Sequence, residues 1–267
     1  MNCIFCNKNS DNSRSIEHII PQSLGNTKNI LDKGIVCDSC NNYFSTKIEK
    51  DVLDLPYFRS LRNRNNILTK KKKIPNEIGF FGDLNNGKVE IIGSKGKNLE
   101  IVIEKKEIFN KILNGEFTSF KIPIYNKPPT KHPLLSILLG KIAIEALAQK
   151  VKNIENWNYE FITNEGLKNI INYVRFGKGK YWEYNVRKVY EETDMFTNFS
   201  KEEKPYQILN EYDFIYIEEK YLIFVCIILG MEYSIFLNDP NINIYKDWLK
   251  ENNYKNPLET DKDKKLP

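Results

Sequence analysis

Residues 3–42 read CIFCNKNSDNSRSIEHIIPQSLGNTKNILDKGIVCDSCNN. Two Cys-x-x-Cys pairs, Cys3/Cys6 and Cys37/Cys40, flank the segment Ile16-Glu17-His18-Ile19-Ile20-Pro21. Each pair brings two thiolates within reach of one ion, and four thiolates close a tetrahedral zinc site. The insert between the pairs is about thirty residues, longer than zinc ribbons commonly carry. That length leaves room for a β-hairpin, and the hairpin would carry Glu17-His18. His18 is one of two histidines in the chain, and Asn41 follows the last cysteine directly.

These residues resemble the HNH, or ββα-metal, nucleases in their zinc-stapled branch. In that branch an acid-His pair ends the first strand, the second cysteine pair opens a helix, and a His or Asn follows the last cysteine. Glu17-His18, Cys37-Asp38-Ser39-Cys40 and Asn41 fall on those positions, with Pro21 and Leu24-Gly25 in order between them. The resemblance covers roughly the first fifty to sixty residues. Many members have His where this chain has Asn41, and Asn is an accepted alternative. The fold implied is α+β: a zinc-stapled, treble-clef-like ββα-metal module, followed by a mixed helix and antiparallel-sheet region.

The resemblance also implies roles. His18 would act as general base, Glu17 and Asn41 would hold a catalytic Mg²⁺ or Mn²⁺, and the four cysteines would hold a structural Zn²⁺. A middle Asn would anchor the loop after the histidine strand; Asn29 is the candidate, with Asn26 next to it. Asn42 is the fallback metal ligand if the helix starts one residue later. The residues agree chemically. Four cysteines already fill a tetrahedral zinc site, which leaves His18 for proton transfer near neutral pH. A carboxylate and an amide oxygen suit a hard divalent cation that keeps water and phosphate oxygens in its shell. The activity implied is metal-dependent hydrolysis of phosphodiester bonds in DNA, in a layout that suits restriction or antiphage defence. Two other readings stay open: an RNA-cutting or nicking nuclease, and a non-catalytic zinc-stapled nucleic-acid-binding protein.

Composition sets the outer bounds. The 267 residues carry a formal net charge of +5, with 41% hydrophobic and 12% aromatic residues. This is a globular composition with enough chain for one large or two ordinary domains. Of five cysteines, the fifth, Cys226, lies in the apolar run Tyr221–Gly230 and reads as a buried thiol. The opening Met-Asn-Cys-Ile has no basic-then-apolar leader, and no apolar run is long enough to span a bilayer. A reduced, cytoplasmic protein with no membrane partner is expected, where paired cysteines bind metal rather than each other. Nucleic acid, double-stranded DNA in the first instance, is the expected partner, with a homo-oligomer or a defence-system subunit as further candidates.

The chain divides by pattern into a nuclease module at 1–55, a basic segment at 56–75, an α+β region at 76–257 and a charged tail at 258–267. Residues 47–73 hold nine positive charges against three negative, a local net of +6. Arg62, Arg64, Lys70, Lys71, Lys72 and Lys73 are the candidate phosphate contacts; a solvated linker is the plainer reading. Spacing predicts a helix from Asn41 to Leu53, broken by Pro56, and a second short segment over Leu55–Ile67. Hairpin patterns follow: Phe80-Phe81, the Asn86-Gly87 turn, Lys88–Gly93, Leu99–Glu104 and Phe117–Ile122. Pro133–Val151 is the clearest helix, and Asn164–Val174 is a second with an N-cap at Thr163 or Asn164. Strands are expected at Tyr206–Leu209, Tyr212–Ile217, Leu222–Leu229 and Tyr233–Leu237. His132 reads as a cap, and the Phe176–Trp182 stretch as a basic surface loop.

Overall fold

Residues 16–20 alternate poorly, yet Glu17 and Ile19 need partners for their backbone groups. Leu31 N donates to Glu17 O at 2.9 Å, Ile19 N to Asn29 O at 3.1 Å, and His18 bridges Ile30. This is the hairpin, reduced to one short bridged ladder. Its connecting segment turns through a 3₁₀ turn at Gln22–Leu24, closed by Gly25 at φ +89°, a conformation glycine adopts without steric cost. The computed structural model that shows this describes residues 1–69, 71–82, 87–92, 100–198, 204–259 and 263–265.

Helix α1 (Asp38–Phe44) starts earlier than the expected Asn41, because Cys37 is its extended N-cap residue. It runs without a break into a π-helical turn (Ser45–Glu49) and then α2 (Lys50–Leu53). Phe44, Ile48 and Val52 bury one face; the π turn brings Glu49 inside as well. Such turns are rare and are often found at functional sites.

Residues Leu53–Pro129 form one of two compact units. In it, α3 (Pro56–Arg64) starts on Pro56, whose fixed φ suits the first helical turn. Strands β1 (Glu77–Phe81), β2 (Lys88–Ile92), β3 (Glu100–Val102) and β4 (Phe120–Lys121) make an antiparallel sheet in the order β3-β2-β1-β4. The strand expected over Phe117–Ile122 is only two residues long. Asn86 of the expected turn lies outside the described residues, while Phe81 N donates to Gly87 O at 2.9 Å. Helix α4 (Lys106–Leu113), which the sequence reading passed over, buries Ile108 alone among its residues.

The other unit joins Met1–Val52 to Thr130–Pro267. The sequence division kept 76–257 together; the compact units instead place 130–267 with the N-terminal segment. Helix α5 (Pro133–Val151) is the reason. It is apolar nearly all round and so needs cover on every side. It packs on the π turn, on α7 (Glu165–Phe176) and on β9 (Met231–Phe236). His132 caps α5, accepting from Leu135 N at 3.4 Å. Helix α6 (Trp157–Thr163) precedes α7, whose cap is Asn164.

Strands β5 (Asn185–Lys188), β7 (Asn210–Ile217), β8 (Tyr221–Ile228) and β9 form an antiparallel sheet in the order β5-β9-β8-β7. Central β8 is buried on both faces, so it reads as a continuous apolar run rather than an alternation. Helix α8 (Asn243–Glu251) covers the sheet, packing Ile242, Tyr245 and Leu249 on Ile223, Val225 and Phe236. The strand expected at Tyr206–Leu209 is absent, and only Tyr206 bridges Phe196. Within the charged tail, β10 (Asp263–Lys265) pairs with β6 (Phe196–Asn198). Among the described residues no helix is long and apolar enough to cross a membrane.

Candidate nuclease site

The four cysteines converge. Their sulfurs all lie within 4.8 Å of one another, none is in a disulfide, and Cys6 and Cys37 sulfurs are 3.6 Å apart. A tetrahedron of sulfurs at zinc–thiolate distance has edges of roughly 3.8 Å. The donor set and its spacing therefore fit zinc. Backbone groups support it: Cys37 N donates to Cys3 Sγ at 3.3 Å. A hydrogen bond from Cys40 pulls the Cys3 thiol down to about 5 against the effect of burial. Burial pushes the Cys6 thiol up. Sulfurs this close cannot all be charged without a cation, which is how metal binding couples to folding in such modules.

The second residue of the CDSC knuckle ties the cysteines to the hairpin. Asp38 accepts from Arg14 N at 3.0 Å, Ser15 N at 2.8 Å and Ser15 Oγ at 2.6 Å. It thereby fixes the chain just before Ile16-Glu17-His18. Asn41, one turn along α1, donates from Nδ2 to Ile16 O at 3.4 Å. The structure thus brings Asn41 beside the strand that carries Glu17 and His18, and Asn41 Oδ1 has no hydrogen bond among the described residues. Asn42 is exposed.

The loop after His18 is fastened by Asn26, not by Asn29. Asn26 is 1% exposed. Its Nδ2 donates to Ile20 O at 2.8 Å and Asn29 O at 2.9 Å, and its Oδ1 accepts from Asn29 N at 2.9 Å and Lys28 N at 3.1 Å. Asn29 contributes only backbone groups to these bonds.

Glu17 is buried, and its carboxylate meets a lysine from far along the chain. Lys141 Nζ of α5 pairs with Glu17 Oε1, with Glu49 Oε1 at 3.0 Å and with Glu145 Oε2 at 3.1 Å, and it reaches His18 O at 3.4 Å. Burial would depress the Lys141 pKa, but the carboxylates of Glu145, Glu17 and Glu49 outweigh it and hold the ammonium charged. Burial pushes Glu145 well above the usual carboxylate range, with Lys141 opposing. Arg175, near the end of α7, donates from Nε to Cys40 Sγ at 3.1 Å and stacks over Tyr43 at 4.4 Å. Lys141, Glu49 and Arg175 escaped the sequence reading because nothing local marks them; Asp38 was in view but stood as a mere spacer between cysteines.

The basic candidates divide. Arg62 is buried and donates to Leu53 O at 3.3 Å, so it is a structural side chain rather than a phosphate contact. Burial lowers its pKa accordingly. Arg64 is exposed and bonds Ser60 Oγ at 3.1 Å. Lys71, Lys72 and Lys73 are exposed on a turn, and Lys70 lies outside the described residues.

Residues 3–54 match a family model described as HNH endonuclease. No curated protein and no solved structure matches the chain. The match covers the cysteine pairs, the Glu17-His18 strand and helix α1, which carries Asn41. Residues 3–54 of this chain are thus similar to the HNH endonuclease family, and their four clustered cysteines are compatible with a zinc staple.

Proposed function

We propose that the chain is a divalent-metal-dependent endonuclease that hydrolyses phosphodiester bonds in DNA, with His18 as general base. The observation that carries this reading is the meeting of Glu17-His18 and Asn41: the Asn41 amide bonds the backbone of Ile16, next to the acid-His pair. A zinc-stapled binding module has no need of all three. Glu17 and Asn41 would hold Mg²⁺ or Mn²⁺ through Glu17 Oε2 and Asn41 Oδ1, neither of which has a hydrogen bond among the described residues. Such an ion, when bound, neutralises charge on the phosphate and the departing oxygen.

The chain's own residues do the rest. A ring nitrogen of His18 takes the proton from the attacking water, a task suited to a half-buried imidazole. Asn26 holds the turn after His18 so that the strand cannot slide. The zinc knuckle holds Asn41 against that strand. Arg64 and Lys71 to Lys73 would supply charge for the phosphate backbone.

The test is cleavage of supercoiled plasmid and of RNA by the zinc-loaded protein with Mg²⁺ or Mn²⁺, with and without EDTA. The parent should cut DNA, and His18→Ala should cut about 10²–10⁴-fold more slowly while retaining zinc and DNA binding. A His18→Ala protein that cuts at the parental rate would defeat the reading. Loss of zinc from that variant would instead make His18 a structural ligand, and cleavage confined to RNA would move the substrate class.

A further inference from the structure

Among the described residues Lys141 is the only buried lysine. Taking a single ion pair out of water already costs several kcal/mol per ion. Here one ammonium collects three carboxylates from three segments: Glu17 from the hairpin, Glu49 from the π turn and Glu145 from one turn along α5. A pair that only glued α5 to its neighbours would need one of them. The same ammonium also lies 3.4 Å from the carbonyl of His18. It therefore touches two adjacent residues, one by its side chain and the other by its backbone. Two contacts on successive residues fix both the place and the twist of a short strand segment. Lys141 engages only Oε1 of Glu17, and the Glu17 side chain retains 8% of its surface. One carboxylate oxygen is held and the other is left for another ligand.

We propose that Lys141 is a positioning residue of the nuclease site, holding the Glu17 carboxylate and the His18 backbone so that Glu17 offers one fixed oxygen to a divalent ion. The inference rests on the nuclease reading above. It gives the region after residue 130 a part in the site: the helix that fills the core also completes the module encoded by residues 3–54. Groups of this kind, which hold a ligand without touching the ion, commonly alter metal affinity 10–100-fold when removed.

The test substitutes Lys141→Met together with Glu145→Leu in the full zinc-loaded chain. The pair removes the ammonium together with the carboxyl group that meets it from the same helix, and apolar chains of similar volume replace them, an exchange that folds often tolerate. Zinc content and circular dichroism report the fold, electron paramagnetic resonance reports Mn²⁺ affinity, and plasmid cleavage reports kcat and KM. The expected result is retained zinc, Mn²⁺ binding about 10–100-fold weaker, a lower kcat and a KM for DNA close to that of the parent. A folded double variant that binds Mn²⁺ as tightly as the parent overturns the proposal. A second measurement needs no variant. In parent protein with ¹⁵N-labelled lysine, the sheltered Lys141 ammonium should be broadened by Mn²⁺ before the exposed lysines are. An unbroadened signal overturns the proposal even if the double variant does not fold. If the parent itself neither binds Mn²⁺ nor cuts, the nuclease reading falls and this inference with it. If the parent and His18→Ala behave as expected while the double variant matches the parent, only the role of Lys141 falls.

Discussion

The same unit buries charge in two places, and it does so in opposite ways. In the sheet, Glu232 is fully buried and every oxygen is answered. Oε2 takes Arg187 Nε at 2.8 Å and its terminal nitrogen at 2.6 Å, while Oε1 takes Tyr245 at 2.9 Å and Ser234 at 2.8 Å. One carboxylate meets one guanidinium and two hydroxyls, and the charges cancel. At the hairpin the balance is tilted: Lys141 faces three carboxylates. A satisfied cluster rigidifies a core, and an excess of one charge is what the proposed divalent-ion site would draw on. The contrast extends to what holds each region. The sheet rests on a continuous apolar core under α8, whereas residues 1–52 are too few to bury such a core; they lean on α5 and carry a four-cysteine cluster compatible with a metal.

The strongest way to break this comparison is to remove the zinc. Structural zinc is worth roughly 10–16 kcal/mol of folding free energy in small modules. Chelation, or Cys40→Ser, should strip hydrogen-exchange protection from residues 3–53 and leave it in β8 and β9. Simultaneous loss from β8 would mean that the two regions are one cooperative unit.

The two ionic clusters give the next largest effect. Lys141→Met alone leaves buried carboxylates without their cation and should cost about 3–5 kcal/mol in urea unfolding. Glu232→Gln keeps the shape and two of the donors, and should cost about 1–3 kcal/mol. Equal losses would erase the distinction between a tilted and a balanced cluster.

How much of this was visible in the chain follows from the range of the interactions. The cysteine pairs, Glu17-His18 and Asn41 lie within forty residues, and their spacing carries their chemistry, so the module could be read directly. Helix α5 and the β7–β9 strands were legible from long apolar runs. Lys141 was not, because its partners sit 124 and 92 residues away, and in sequence it is one lysine in an apolar helix. Arg175 to Cys40 spans 135 residues and is hidden for the same reason. Asn26 and Asn29 share composition and neighbourhood, and only the turn closed by Gly25 decides which side chain reaches back. Helices α4, α6 and α8 were missed because each is short, with 8, 7 and 9 residues, about two turns in which a helical period has little room to show. Arg62 was misread as a phosphate contact because charge alone does not show that its helix turns it inward.

A smaller effect tests whether α7 belongs to the zinc region as α5 does. Arg175 donates to a cysteine sulfur and lies on the Tyr43 ring. It offsets part of the negative charge of a four-thiolate centre. Arg175→Ala should transfer zinc to a competing chelator about tenfold faster, with the sheet unaffected. An unchanged transfer rate would reduce Arg175 to a surface stacking residue.

The smallest expected effect lies at the seam that carries both Lys141 and Arg175. Gly140 is buried where α5 meets α7, and a Cβ there would stand 2.6 Å from Val174 Cγ2. In an exposed helix Gly→Ala is worth about 1 kcal/mol in favour of alanine. Here the added methyl must displace a branched side chain in a packed interface, and overpacking of that kind costs about 1–3 kcal/mol. The steric term should win narrowly, so Gly140→Ala should lower stability by about 1 kcal/mol, a fall of roughly 2–4 °C in the melting midpoint for a chain of this size. The sheet is not the reason, since the clash is with α7. If the helices part to relieve it, Lys141 moves off Glu17 and Mn²⁺ binding should weaken along with the midpoint. A raised midpoint would show that Val174 turns aside freely and that the seam is looser than the close approach at Gly140 implies.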